Sequence, residues 1–526
     1  NSSFSGDVNG ANTVGGLVGK AEENSKIINS SSQGTNNATH TNGSNFGGLV
    51  GILQESSIRD SFSTMNINGG TTNLMAGGLV GQLYSSGSIT NSYSTGAITG
   101  HSFLGGLVGW TRGTNGDIIT ISNSYFEGLL NTSGFFVGGL IGYSSNTQIN
   151  DSHSIVSTLS GTDSLGGLIG SMSNTQINNS YSKSTINGNN SLGGLVGSTG
   201  GSTENNNGSS ITDSYFEGTI NASDFNIGGL IGYANKLVIN SSYSKATITG
   251  TSSVGGVLGY GHGSSANDIS ITDSYFEGEI DASSDYIGGV VGYVENGSIN
   301  SSHVKSSTIS GDDQIGGLAG HTQNTTINDS YSKETTLSGD DKIGGLIGYT
   351  QDTTINDSYV RGATITSEDD FTGGLVGDTL RTTVNNSNVE STTVTAGDDY
   401  SGGLVGHAKE STINNSYVKS TTITATDDFS GGLVGYVHTS NINDSYADTT
   451  VTSDDYVGGL VGILRTGEIN RSYSKGKASG DKYVAGLVGS GSSYANNNVI
   501  NDSYTEADVS ANEYSGGFIG WGITDR

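Results

Sequence analysis

An all-β fold, a parallel β-helix or β-solenoid, is predicted by three observations. The first is a Gly-Gly-Leu-Val-Gly pentapeptide, or a close variant, that recurs eighteen times. It begins at Gly15 and Gly47 and continues through Gly458 to two variant copies, Ala485-Gly486-Leu487 and Gly516-Gly517-Phe518. Spacings run from 27 to 35 residues, and a period in this range marks a solenoid or another repeat array. The second is the absence of proline, which would remove a ladder hydrogen bond where nearly every strand is internal. The third is the lack of helical periodicity: short β-rich runs alternate with Asn, Asp, Ser and Gly clusters.

Residues 166–193 show one coil. Gly166-Gly167-Leu168-Ile169-Gly170 leads into a polar stretch, Ser171 to Gln176. Then come Ile177 to Lys183 and Ser184-Thr185-Ile186-Asn187-Gly188, and a polar turn, Asn189 to Ser191, brings in Leu192 and the next glycine pair. Three short strands per coil of roughly 29 residues are expected, with coils about 4.8 Å apart. About eighteen such coils would form a single continuous solenoid over residues 1–526, a rod of roughly 85 Å. Longer coils carry insertions at 111–119, 201–209 and 261–267. These loops are the expected binding face if a partner exists.

Alternation assigns two columns. Phe126, Phe216, Phe276, Val304, Val360, Val389 and Val418 occupy a position that is otherwise often Ser, as an inward site would. The preceding position holds Tyr in most coils, and His153, His303 or Asn388 in others, so it is placed outward or at a corner, where rings would stack. The glycine pairs have two readings. They supply a positive φ or a tight bend where a side chain would clash, or they flatten a face against which another chain packs. Apolar residues on both sides of the pair, such as Leu165, Leu168 and Ile169, favour a buried outer surface in the second reading.

With 20 basic and 49 acidic residues, the net charge of −29 argues against nucleic acid or an anionic bilayer as partner. Cysteine is absent, so there is no disulfide framework and no thiolate chemistry. No apolar run is long enough to span a membrane, and an opening at Asn1 fits a processed or excised segment.

The order Gly-Gly-Leu-Val-Gly, variable segment, Ile-Asn-x-Ser-Tyr-Ser, short strand, Gly-Gly-Leu-Val-Gly resembles the GLUG repeat over nearly the whole chain. The resemblance implies an extracellular repeat region of bacterial or archaeal cell-surface proteins, including adhesins, without catalysis of its own. Relatives often carry Cys where this chain has Ser before the Tyr, as at Ser180, so no thiol chemistry carries over.

Two sets of candidate site residues emerge. Asp312-Asp313, Asp340-Asp341, Asp369-Asp370, Asp398-Asp399, Asp427-Asp428 and Asp454-Asp455 precede the glycine pair in six successive coils. Stacked carboxylates repel, so either a cation such as Ca2+ binds along the row, or the row is a solvated turn ladder screened by salt. Sequons form the second set. Asn150, Asn178, Asn240, Asn300, Asn328, Asn356, Asn385, Asn414, Asn443, Asn470 and Asn501 share one phase, which favours an amide ladder over crowded glycans. Asn37, Asn131, Asn221 and Asn324 lie off that phase and are the better glycosylation candidates.

Catalysis is not expected. The acidic groups repeat along the chain rather than converge, and His262 and His438 lack a ligand pattern. A second aromatic column, Trp110, Tyr143, Tyr233, Tyr260, Tyr293, Tyr349, Tyr436 and Trp521, offers an alternative role in carbohydrate binding; a polysaccharide-degrading β-helix enzyme is the least favoured alternative. The expected function is that of a non-catalytic extracellular structural protein. It would be a surface stalk or adhesin, or a self-assembling fibre or sheath subunit built by end-to-end stacking.

Overall fold

A computed structural model describes residues 1–39, 44–70, 73–114, 116–200, 208–491 and 498–522. It is an all-β parallel solenoid of about 17 turns, and the described residues contain no helix. Two compact units divide it. Unit 1 holds residues 1–251, 256–264 and 268–270; unit 2 holds 252–255, 265–267 and 271–526.

One coil of unit 1 shows how the sequence makes the turn. Its strands are Asp163–Gly166, Ile169–Ser173, Gln176–Asn178 and Tyr181–Gly188. They build three parallel sheets, because the second and third strands belong to one sheet. The corner after Asn178 differs from the predicted continuous run over Ile177 to Lys183. Asn179 takes φ 46°, in the left-handed region that Asn and Asp tolerate best, and breaks that run before Tyr181. The same corner residue is Asp357, Asn386, Asn415 or Asp444 in unit 2.

Motif glycines are required by contact rather than by φ. A Cβ on Gly166 would fall on the carbonyl oxygen of Ile169, and one on Gly167 on the carbonyl oxygen of Gly194 and the Ser182 side chain. Neither glycine has positive φ; the left-handed residue lies two places earlier, at Ser164 (φ 53°) and Ser191 (φ 54°). The space over the pair is filled by the molecule's own neighbouring coil, which leaves none for another chain. The bend at Gly167-Leu168 also resets the alternation, so Leu165, Leu168 and Ile169 all lie in the core with no exposed surface. The expected buried outer surface is therefore not needed. Across the bend, Leu168 N–H and Ile169 N–H both donate to the Leu195 carbonyl of the following coil, at 2.8 and 2.9 Å.

Apolar columns fill the interior of both units. In unit 1, Leu168, Ile177 and Ile186 are wholly buried; in unit 2, Leu375, Val384 and Val394 are buried at the corresponding places. Phe126, Phe216, Phe276 and Val304 lie inside as their alternation predicted.

Candidate functional site

Three side-chain ladders and one acidic turn carry the repeated chemistry. The phased asparagines form an amide ladder. In unit 2, each Nδ2 donates to the Oδ1 one coil earlier from Asn328–Asn300 at 2.7 Å through Asn356, Asn385, Asn414, Asn443 and Asn470 to Asn501. Asn178 donates to Asn150 at 3.0 Å in unit 1. The sequon serines are engaged as well. Ser180 Oγ donates to the Asn178 carbonyl (2.8 Å) and accepts the Ser152 N–H (3.1 Å), while Ser180 N–H donates to Ser214 Oγ (3.0 Å). This buried serine column repeats in unit 2 from Ser302 to Ser472. A corner that leaves one N–H and one carbonyl facing inward needs a short hydroxyl to satisfy both.

Outside the serines stands the tyrosine column. In unit 1, Phe62, Tyr93, Tyr125, His153, Tyr181, Tyr215 and Tyr243 stack with centroids 4.8 to 5.1 Å apart and planes within 6°. In unit 2, the stack Tyr275–His303–Tyr331–Tyr359 ends where Asn388 replaces the ring, and it resumes as Tyr417–Tyr446–Tyr473–Tyr504. Each ring covers its neighbour's face, so edges and hydroxyls face the solvent. In the second aromatic column Tyr233 stacks on Tyr260 and Tyr293 on His321, and Trp110 stacks on Phe103 from the turn before the glycines. A sugar platform needs open ring faces, and the faces turned toward each other in these pairs are not open.

The acidic pairs come together in unit 2 as the repeat predicted. Asp370 Oδ1 accepts the Asp399 N–H, Asp399 Oδ1 the Asp428 N–H, and Asp428 Oδ1 the Asp455 N–H, each at 3.1 Å. Partial burial, reinforced by neighbouring carboxylates, lifts Asp399 and Asp428 to about 6 against the opposing pull of the donated N–H. Burial also raises Asp313, Asp370 and Asp427; in Asp340 a hydrogen bond with Asp312 is the main cause. Two triplets, Asp370/Asp398/Asp399 and Asp399/Asp427/Asp428, each bring three carboxylate oxygens within 4.8 Å of one another. Lysines flank the row: Lys342 contacts Asp341, and Lys482 lies 3.9 Å from Asp455. The oxygen-only donor set suits a hard cation, with water completing its shell.

Sequence reasoning missed an aromatic two places before the glycine motif in six successive coils, those of the last four Asp pairs and the two coils after them. Phe371, Tyr400, Phe429, Tyr456, Tyr483 and Tyr514 hold φ between 49° and 62°, a conformation that is an outlier for bulky side chains. They stack in sequence with centroids 4.8 to 5.3 Å apart. Tyr400 is pushed up to about 12 by burial and by Asp399 and Asp370. The signal was an aromatic at one fixed place before the glycines, passed over as turn. Also unforeseen are His407 Nδ1, 2.9 Å from Asp378 Oδ1, and His321, which burial pushes down to about 4.

Of the glycosylation candidates, Asn131, Asn221 and Asn324 are exposed; Asn37 is half-buried in a second amide row with Asn9 and Asn68. Among the insertions, residues 115 and 201–207 lie outside the described residues. Thr114 and Asp117 form an antiparallel bridge, and Ser264 donates to Asp268 at 2.9 Å. No helix among the described residues is long and apolar enough to cross a membrane.

The chain carries the GLUG motif, whose family model matches residues 10–37 and 72–99. No curated protein and no solved structure matches it.

Proposed function

We propose that this GLUG-motif solenoid is a non-catalytic structural element of an extracellular surface protein, working as a stalk or adhesin or as a fibre subunit. The observation that carries this reading is that identical groups occupy identical places in successive coils. Asn, Ser, Tyr and Asp each form a column bonded or stacked along the coil axis, which supports load-bearing repetition better than convergence on one reacting centre. The −29 charge suits a solvated exterior.

Protease shaving of intact producing cells tests the location. Release of fragments is the expected result, and protection until lysis contradicts the proposal. Electron microscopy of the purified chain then separates its two forms, since filaments indicate a fibre subunit and isolated particles a stalk. Within this reading, a hard cation such as Ca2+ would neutralise the Asp370–Asp428 row, supported by the two oxygen triplets. A melting midpoint unchanged by chelation would remove the cation from the account.

A further inference from the structure

We propose that the outer face of unit 2 is an ice-binding surface. Four successive coils contribute Thr-x-Thr: Thr364 and Thr366, Thr393 and Thr395, Thr422 and Thr424, Thr450 and Thr452. All eight threonines are exposed. The residues between them, Ile365, Val394, Ile423 and Val451, point into the core and are wholly buried. Parallel pairing sets the threonines in register, 364 against 393 against 422 against 450, and 366 against 395 against 424 against 452. Two further coils extend the ranks with Thr308/Ser310 and Thr336/Ser338. The bulge in the Tyr417–Ala425 strand falls between Lys419 and Thr421, outside the ranks.

The result is a two-rank grid, about 4.8 Å from coil to coil and about 6.7 Å between ranks along each strand. Threonine is β-branched and stiff at χ1, so its hydroxyl and methyl stay at fixed places. Among the described residues, the hydroxyls of Thr364, Thr366, Thr393, Thr395, Thr422, Thr424 and Thr450 find no hydrogen-bond partner. Thr452, at the end of the grid, bonds Ser479 at 3.1 Å, and Lys477 follows Thr450 in the outer rank.

A rigid grid of unpaired hydroxyls and methyls orders the water above it with the period of the strands. Liquid water has no such period, whereas the prism face of hexagonal ice repeats at close to these two spacings. Many weak contacts held in one rigid frame act together, so their avidity exceeds that of any single contact. Neither rank holds a charge or a ring from Thr364 to Thr452, which sets ions and sugars below ice as occupants. Unit 1 carries the motif in one coil, Thr247 and Thr249, but not the grid: the preceding equivalent pairs are Ala97/Thr99, Leu129/Asn131, Thr185/Asn187 and Thr219/Asn221. The inference is independent of where the protein resides.

The test grows ice slowly from a dilute solution of the full chain, measures the fraction of protein incorporated, and follows crystal shape and thermal hysteresis. Wild type should enrich in the ice and facet the crystals. T393K/T422K should lose both while its circular-dichroism melting midpoint stays unchanged, since both positions are exposed. A control pair on another sheet, T383K/T412K, should retain ice activity. Exclusion of the wild type from ice, or retained activity in T393K/T422K, overturns the proposal. Exclusion from ice with co-sedimentation on crystalline chitin, or with dimers that T393K/T422K abolishes, also overturns it, reassigning the face to a glycan or to a second copy.

Discussion

In unit 1, Asp163 accepts the backbone N–H of Asn190 at 3.3 Å and its side-chain amide at 3.0 Å. In unit 2, Asp370 accepts the backbone N–H of Asp399 at 3.1 Å, and the pattern repeats through Asp455. The same turn therefore uses the same acceptor in both units, but in unit 2 the next residue up the stack is another carboxylate. What geometry asks of this position is an oxygen facing the next coil's N–H. The negative charge is an addition, and it comes with raised pKa values and mutual repulsion. Fold and charge are thus separable in this repeat.

The largest effect should come from what the units share. Gly167→Ala in unit 1 and Gly374→Ala in unit 2 would each drive a Cβ into the next coil's backbone, onto the carbonyls of Gly194 and Gly403. Each should cost about 3 kcal/mol or more in denaturant unfolding. Equal losses sharpen the claim of common geometry, and a tolerated substitution in one unit breaks it. Next comes the serine column. Ser180→Ala and Ser416→Ala each strand a buried N–H and a carbonyl, at about 1–3 kcal/mol apiece in the same assay. A smaller effect of opposite sign is expected at Ser154, wholly buried with its hydroxyl unpaired. Ser154→Ala should be neutral or stabilise by up to about 1 kcal/mol.

Much of this molecule was legible before any coordinates. The repeat fixed the fold class, and alternation placed Phe126 and Val304 inward and the tyrosines outward. The phased sequons pointed to the Asn ladder. Alternation failed at Gly167-Leu168, because a bend resets the strand's two faces and draws Leu165, Leu168 and Ile169 all into one core. Of the two roles open to the glycine, a positive φ or a bend with no room for a side chain, the second holds. Neighbouring backbone leaves no space for a Cβ, and Ser164 or Phe371 takes the left-handed turn instead. The Thr-x-Thr ranks were visible as letters, but their register needed the pairing of one coil on the next.

The separation of charge from geometry makes a signed prediction about pH. Asp399 and Asp428 rise from 3.8 to about 6 on folding, so the folded state keeps protons that the unfolded chain has released. Stability therefore falls as pH rises from about 4 through about 6, and returns as pH is lowered. Both groups are partly exposed, which after screening leaves about 1 kcal/mol for the two together. The direct measurement is denaturant unfolding of wild type and D370N/D399N/D428N at pH 4 and pH 7.5, in the presence of a chelator. Asparagine keeps the acceptor oxygen, so the variant should match wild type at pH 4 and exceed it at pH 7.5. A variant weaker than wild type at both values would contradict the account, because it would show that the turn needs the carboxylates themselves.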